Sequence, residues 1–337
     1  MNNVVIIGSG AAGLLLLLSL EKAGIQPERI TVIDPHFDCG DLMRKWSCVR
    51  SNTVWRQTLQ AVPTDKPLPE TLASLDPEQP CELRYIVQYL LFLTKPFLNR
   101  CTIKTGIAQK AIQDESGIWN IWTKGSTKAI QASHLIIATG SEPKSMDLPF
   151  PSIPLHVALD ATKLSEYVKP NEHVLLFGTA HSSTIIIQNL IANGVKRITN
   201  FYATPKPFYF ARDGEYDGIK QDAAVIADKI LANEMPQVEL VSIHDTAGMI
   251  RKTRDADKVI YAIGFEHRDS LKINENTGRI EYDGDTGRLT GVTNAWGFGI
   301  AYPNRAEDKQ HWDVSVPSFA AHIQKQLPDI LSSLRIE

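Results

Sequence analysis

The sequence predicts an α/β fold with two strand–turn–helix units of the parallel-sheet kind. Two stretches carry this. "VVIIGSGAAGLLLLLSL", from Val4, runs from an aliphatic strand through a glycine turn into an apolar helix. "HVLLFGTAHSSTIIIQNLIANG", from His173, repeats that order. Two apolar runs that close on glycine, His134 to Gly140 and Lys258 to Gly264, supply a further strand to each. Short apolar runs bounded by turn signals read as strands buried on both faces of a parallel sheet.

Composition narrows the classes. A chain of 337 residues suits one large α/β unit or two closely joined domains. The net charge is −3 and there is no basic block, so no nucleic-acid partner is expected. The four cysteines, at 39, 48, 81 and 101, form no C-x-x-C pair and no metal-ligand spacing. They read as free thiols of a reducing cytosol, with no metal site. The N-terminal apolar run is preceded by no basic residue, followed by no cleavage site, and broken by glycines and serines. It reads as strand, turn and helix, neither an export signal nor a membrane span, so a cytoplasmic protein with no membrane partner is expected.

The first turn places Gly8, Gly10 and Gly13 in the spacing G-x-G-x-x-G. Such a turn needs a residue free to bend sharply, a second bare enough for pyrophosphate to approach, and a third that lets the helix pack on the strand. The helix N-terminus then offers N–H groups to the phosphates. "RITVID" is the next strand, and its final Asp34 is placed to accept hydrogen bonds from a ribose.

Further on, "AIQDESGIWNIWTKGSTKAIQASHLIIATGSEP" holds alternating strands about a turn at Ser116–Gly117 and ends on Ala138-Thr139-Gly140. Near the C-terminus, "NTGRIEYDGDTGRLTGVTNAWGFGIAYP" is a second glycine-punctuated segment. With these the chain resembles, over nearly its whole length, the flavoproteins with two dinucleotide-binding domains. The resemblance implies an FAD-binding Rossmann-type domain with an inserted, NADP-type Rossmann-like domain, and FAD as cofactor.

Three features bear on the branch. Disulfide reductases of this superfamily need a cysteine pair that this sequence lacks. They and the ferredoxin reductases carry a C-terminal Gly-Asp for the flavin, where this chain has Gly299-Ile300. "CGDLMRKWSCVRSNTVWRQTL" is similar to the segment of flavin-containing and N-hydroxylating monooxygenases that joins a G-G-x-W turn to an L-x-x-N motif. That resemblance puts Gly40 at the turn and Asn52 beside the flavin, with Cys39 and Leu42 departing from the family's Gly and Trp. An amide there can donate to a developing peroxide and accept from a bound cofactor amide. Asn capping a turn is the structural alternative. Trp46 and Trp55 flank it, either as core or against the cofactor. The F-x-G-x-x-x-H pattern of those monooxygenases appears as Phe150, Ser152 and His156, with Asp160 where an aromatic is expected.

The second turn keeps Gly178 but has Ala180 and Ser183 at the other glycine positions. Alanine adds a methyl where pyrophosphate would lie. Ser182 and Ser183, with His181, could instead donate to phosphate at the helix start. The next strand, "KRITNFYAT", ends in no acidic residue, and Arg197, Lys206 and Arg212 are candidate partners for a 2′-phosphate. NADPH is therefore the expected second cofactor. The aromatic-rich segment 201–216 is either a substrate mouth or a packed loop.

The expected division is an FAD domain of residues 1–148 plus 270–337, with a nucleotide domain over 149–269. The function that the resemblance implies is an NADPH-using monooxygenase acting on a small nitrogen- or sulfur-containing molecule through a flavin C4a-hydroperoxide. Two alternatives stand beside it: an FAD oxidoreductase exchanging electrons with another partner, and a flavin-bound sensor with a vestigial nicotinamide site.

Overall fold

Strand Val4–Ile7 (β1) is apolar at every position because it is the central strand of a sheet covered on both faces. The computed structural model describes residues 3–210, 219–268, 271–274, 280–306 and 312–334. On one side β1 pairs in parallel with Ile30–Asp34 (β2), which pairs in turn with Thr102–Thr105 (β3). On the other side lies His134–Ile137 (β7), after the meander Ala108–Gln113 (β4), Trp119–Thr123 (β5) and Ile130–Ala132 (β6). The C-terminal strand Ala295–Gly297 completes the sheet beside β7, so the far end of the chain does return to the first sheet.

Alternation along β1 divides its side chains between two cores. Val4 and Ile6 face the cluster built on helix Ala11–Lys22 (α1), with helices Leu83–Leu98 and Val316–Leu334 packed against it. Because α1 is covered on nearly every side, Leu14 to Leu18 and Leu20 are all buried, and the helix is apolar all round. Val5 and Ile7 face the opposite cluster, where the meander contributes Ala111, Trp119 and Ile121. Trp55 belongs to the first core, fully buried and edge-on to Tyr89 at 5.6 Å.

The chain divides into two compact units. The first comprises Met1–Ser47, Thr53–Ser141 and His267–Glu337, and the second Cys48–Asn52 and Glu142–Glu266. The second unit is built on a parallel sheet in the order Val238–Ser242, Arg197–Tyr202, His173–Phe177, Lys258–Tyr261. Helix His181–Ala192 follows the strand that begins at His173 and ends at Asn193 and the left-handed Gly194. The sheet core includes Phe177, stacked on Phe201 at 4.6 Å. The α/β, parallel-sheet fold read from the sequence is the one observed. Among the described residues no helix is long and apolar enough to cross a membrane.

Two histidines of the first unit are held neutral. His134 is buried on β7 between the hydroxyls of Ser133 and Ser333, at 2.8 and 2.9 Å. His322 is buried beside the Phe298 ring. Burial lowers both to about 4, with Arg29 adding to the effect on His134 and Lys325 on His322. Because their folded pKa lies below the unfolded value near 6.5, their contribution to stability is complete above pH 6.5 and is lost as pH falls toward 4. Each histidine can cost up to about 1.4 kcal/mol per pH unit in that window. Urea unfolding followed from pH 7 to pH 4.5 should show this slope, and His322→Gln should flatten it.

Candidate functional site

At the end of β1 the chain turns on Gly8, whose φ is +102°, and a Cβ there would collide with the carbonyl of Ala138. Gly13 lies directly on the carbonyl of Gly8, so α1 rides against the turn at a distance only glycine permits. Gly10 differs from both: nothing lies within 4 Å of where its Cβ would be. The first intrahelical bond runs from Leu14 N–H to the Gly10 carbonyl at 2.9 Å, leaving the N–H groups of Ala11, Ala12 and Gly13 ahead of it. An open concavity at a helix N-terminus over a parallel sheet fits the pyrophosphate of a dinucleotide.

Asp34 organises the rim of this concavity. One carboxylate oxygen accepts the Ser9 N–H at 2.7 Å, and the other accepts those of His36 and Phe37 at 2.8 and 2.9 Å. Asp34 therefore staples the loop after β1 to the loop after β2, a structural role beyond the ribose contact expected of it. Ser9 enters only as a backbone donor, which side-chain reading does not find.

The loop after β2 lies against the first turn through a parallel bridge between Gly10 and Cys39. Cys39 and Gly40 both have positive φ, and the Gly40 N–H donates to Asp38 at 3.0 Å. The short helix Asp41–Arg44 (α2) follows, and Trp46 sits half-buried in the turn beyond it. Gly140 bends the chain after β7 with φ +73°. From the C-terminal segment, Gly299 comes against Ala12 of α1, and Ile300 packs on the α1 core. Gly8, Gly10, Gly13, Asp34, Gly40, Gly140 and Gly299 thus gather at one edge of one sheet. Asn52 is not in that group. It is exposed on a bend, in the short segment that clusters with the second unit.

The second turn repeats the first in outline. Gly178 has φ +105°, and a Cβ on it would strike the carbonyl of Ala262, as at Gly8 and Ala138. The Gly178 N–H donates to Phe201 as the Gly8 N–H does to Ile33, at 2.9 and 2.8 Å. That equivalence sets Tyr202 where the first unit has Asp34. The interior differs. Ser183 donates its hydroxyl to the Ala180 carbonyl at 2.6 Å, and Asn200 donates to the carbonyls of Gly178 and Leu176 at 2.7 and 3.0 Å. With the Ser183 proton directed inward, Ser182, half-buried in the first helical turn, is the better-placed hydroxyl for an anion. The His181 ring stacks on Phe210, centroids 4.2 Å apart. Arg197 is engaged by Asp255 at 2.6 Å, while Lys206 is exposed. Of the aromatic-rich segment, Phe201 and Phe208 are buried, while residues 211–216, Arg212 among them, lie outside the described residues.

Two residues of the monooxygenase-like pattern have evident local roles. Ser152 bridges to Val259 at the edge of the second sheet. Asp160 caps helix Ala161–Leu164 through the N–H groups of Thr162 and Lys163, and accepts from the Cys48 thiol at 3.6 Å.

None of the four cysteines is paired. Burial, with Asp38 and Asp34 adding to it, pushes the Cys39 thiol far above its usual range. Burial raises Cys81 and Cys101 to about 11, and with Asp160 raises Cys48 as well. A nucleophilic cysteine needs a lowered pKa, and here every shift runs the other way.

Two sheets of like build, each with a glycine turn at the end of its first strand, define a protein with two dinucleotide-binding units. The family model described as pyridine nucleotide-disulphide oxidoreductase matches residues 2–297, and the chain belongs to that family. Its members are FAD- and NAD(P)H-dependent oxidoreductases, so this is an oxidoreductase fold that uses these cofactors. No curated protein matches the sequence. Among solved structures it is similar to the bacillithiol disulfide reductase Bdr of Staphylococcus aureus, at 13% identity and TM-score 0.66, covering 98% of each chain. It is also similar to the thioredoxin reductase of Lactococcus lactis, at 12% identity and TM-score 0.58 over 99% of each chain. A cyclohexanone monooxygenase mutant from Rhodococcus sp. Phi1, solved with NADP+, gives 16% identity and TM-score 0.60, covering 99% of this chain and 86% of that one. The wider superfamily is thus what matches, and the monooxygenase resemblance is one among several.

Two substitutions probe the two turns. Gly13→Ala forces a methyl onto the Gly8 carbonyl, and overpacking of roughly 1–3 kcal/mol should weaken FAD binding by about tenfold or more. Flavin content after dialysis measures it. Ala180→Gly removes the methyl at the second glycine position and should tighten NADPH several-fold, on the scale of about 1 kcal/mol per methylene. Titration of the protein with NADP+ reads this out.

Proposed function

We propose that this protein is an NADPH-using flavin monooxygenase that acts on a small nitrogen- or sulfur-containing molecule. One observation carries the reading: all four cysteines are unpaired, and none has its pKa lowered toward a thiolate. This disfavours a dithiol relay to a disulfide substrate. It favours direct passage of electrons from the flavin to a small acceptor, and oxygen is an acceptor that needs no further protein group.

FAD, when bound, supplies hydride acceptance from reduced nicotinamide and electron delivery to the acceptor. The chain's own part is to bind and orient. The turn at Gly8 to Gly13, with the N–H groups that open α1, would hold the pyrophosphate. Asp34 would meet the adenosine ribose with the lone pairs its backbone donors leave unused. Gly40, Trp46, Gly140, Gly299 and Ile300 would line the rest of the FAD site. Asn52, exposed and amide-bearing, would donate an N–H to the reacting oxygen and accept from the nicotinamide amide. In the second unit Gly178 and Ser182 would face NADPH, with the Ser183 hydroxyl turned to the Ala180 carbonyl; Arg212, outside the described residues, is the expected partner of the 2′-phosphate. The absence of an acidic side chain at Tyr202 suits a 2′-phosphate.

A second reading has its own support. Ala180 replaces the second glycine of the turn, and Phe210 stacks on His181 in the first turn of the helix, as expected if electrons come from a partner other than NADPH. A flavin-bound sensor with a vestigial nicotinamide site is the non-enzymatic form of that reading.

Anaerobic mixing of the FAD-loaded protein with NADPH, followed in the flavin absorption band, is the first test. Bleaching within seconds is expected, and none at millimolar NADPH would sink NADPH use. Turnover under ¹⁸O₂ with small amines and thioethers is the second. Label in the product is expected; NADPH consumption that yields only hydrogen peroxide with every substrate would favour the reductase reading.

A further inference from the structure

We propose that Arg268 is a positioning residue for the FAD site, a clasp that holds together the loops on which the dinucleotide rests. The proposal rests on the FAD reading of the first turn. Arg268 belongs to the segment that re-enters the first unit, and its guanidinium makes two contacts there. It forms an ion pair with the Asp41 carboxylate, and it donates to the Ser141 carbonyl at 3.3 Å. Asp41 opens α2, directly after Gly40, in the loop that bridges to Gly10 through Cys39. Ser141 directly follows Gly140, where the chain bends after β7.

One side chain therefore joins the loop after β2 to the loop after β7, and through the Cys39 bridge reaches the loop after β1. The C-terminal ends of these strands are where a dinucleotide lies on an open parallel sheet.

The electrostatics single out this pair. Asp41 is also met by Lys45 at 2.9 Å and Arg44 at 3.6 Å, and Arg44 lies 3.8 Å from Asp38. Arg44 and Lys45 are on or next to the helix of Asp41, so they neutralise it locally and tie nothing distant to it. Arg268 alone among these cations comes from a remote part of the chain. Asp41 keeps only 16% of its side-chain surface exposed and Arg268 29%. The pair is therefore shielded, unlike a fully solvated surface bridge that would contribute little. Both contacts are made by one nitrogen, Nη2, which donates to the carboxylate and to the carbonyl at once.

The test is a double-mutant cycle on FAD affinity, using apoprotein prepared from the full chain and titrated with FAD by flavin fluorescence. Arg268→Ala and Asp41→Asn should each raise the FAD dissociation constant roughly tenfold, as expected for removing one partner of a shielded charge pair. The double variant should be no weaker than either single one, because one shared contact has been removed. Arg268→Lys should recover part of the loss. A clasp also predicts altered flavin environment in the weakened variants, visible as changed vibronic structure of the bound flavin band at saturating FAD. Should Arg268→Ala fail to fold, by circular dichroism, Arg268→Lys and Asp41→Asn with their double variant form the same cycle.

Wild-type FAD affinity in the single variants would overturn the proposal. So would additive effects in the double, or a loss confined to the Arg268 variants, which would make Arg268 a direct FAD ligand. Failure of the wild-type protein to bind FAD would instead strike the cofactor reading itself.

Discussion

The first unit depends on two successive close contacts between main chains. The carbonyl of Ala138 lies where a side chain on residue 8 would have to be, and the carbonyl of Gly8 lies where one on residue 13 would be. These approaches bring β1, β7 and the start of α1 within touching distance. They let a largely buried helix begin close against the central strand, with its first N–H groups unpaired within the helix. Asp34 then fixes the adjoining loops by three backbone donors, and the open space over Gly10 follows from what the other residues exclude. Binding geometry here comes from the absence of side chains as much as from their presence.

The second unit keeps part of this arrangement and not the rest. Gly178 and Ala262 make the same close approach. At the third glycine position stands Ser183, whose hydroxyl donates to the Ala180 carbonyl, and Asn200 donates to the Gly178 carbonyl. An unpaired buried carbonyl costs free energy, and Asn200 removes that cost at Gly178.

Much of this was legible in the sequence. Both strand–turn–helix units and the strands closing on Gly140 and Gly264 follow from apolar runs and glycine spacing, which are local signals, whereas the return of the C-terminal segment was read only through resemblance. What escaped was non-local or carried by the backbone. The Ser9 amide as partner of Asp34 leaves no mark in residue identity. Arg268 and Asp41 are 227 positions apart, and nothing near either one announces the other. Asn200 reads as one polar residue inside an apolar strand, and its purpose appears only beside the carbonyls of Leu176 and Gly178. Asn52 was read through resemblance, and its exposed place in the 48–52 segment is a fact of tertiary arrangement.

Asn200 has a consequence for the second turn. It donates to the Gly178 carbonyl from the neighbouring strand, so that carbonyl has its partner before any nucleotide arrives. The turn is preorganised in this respect, its shape set by the chain's own side chain.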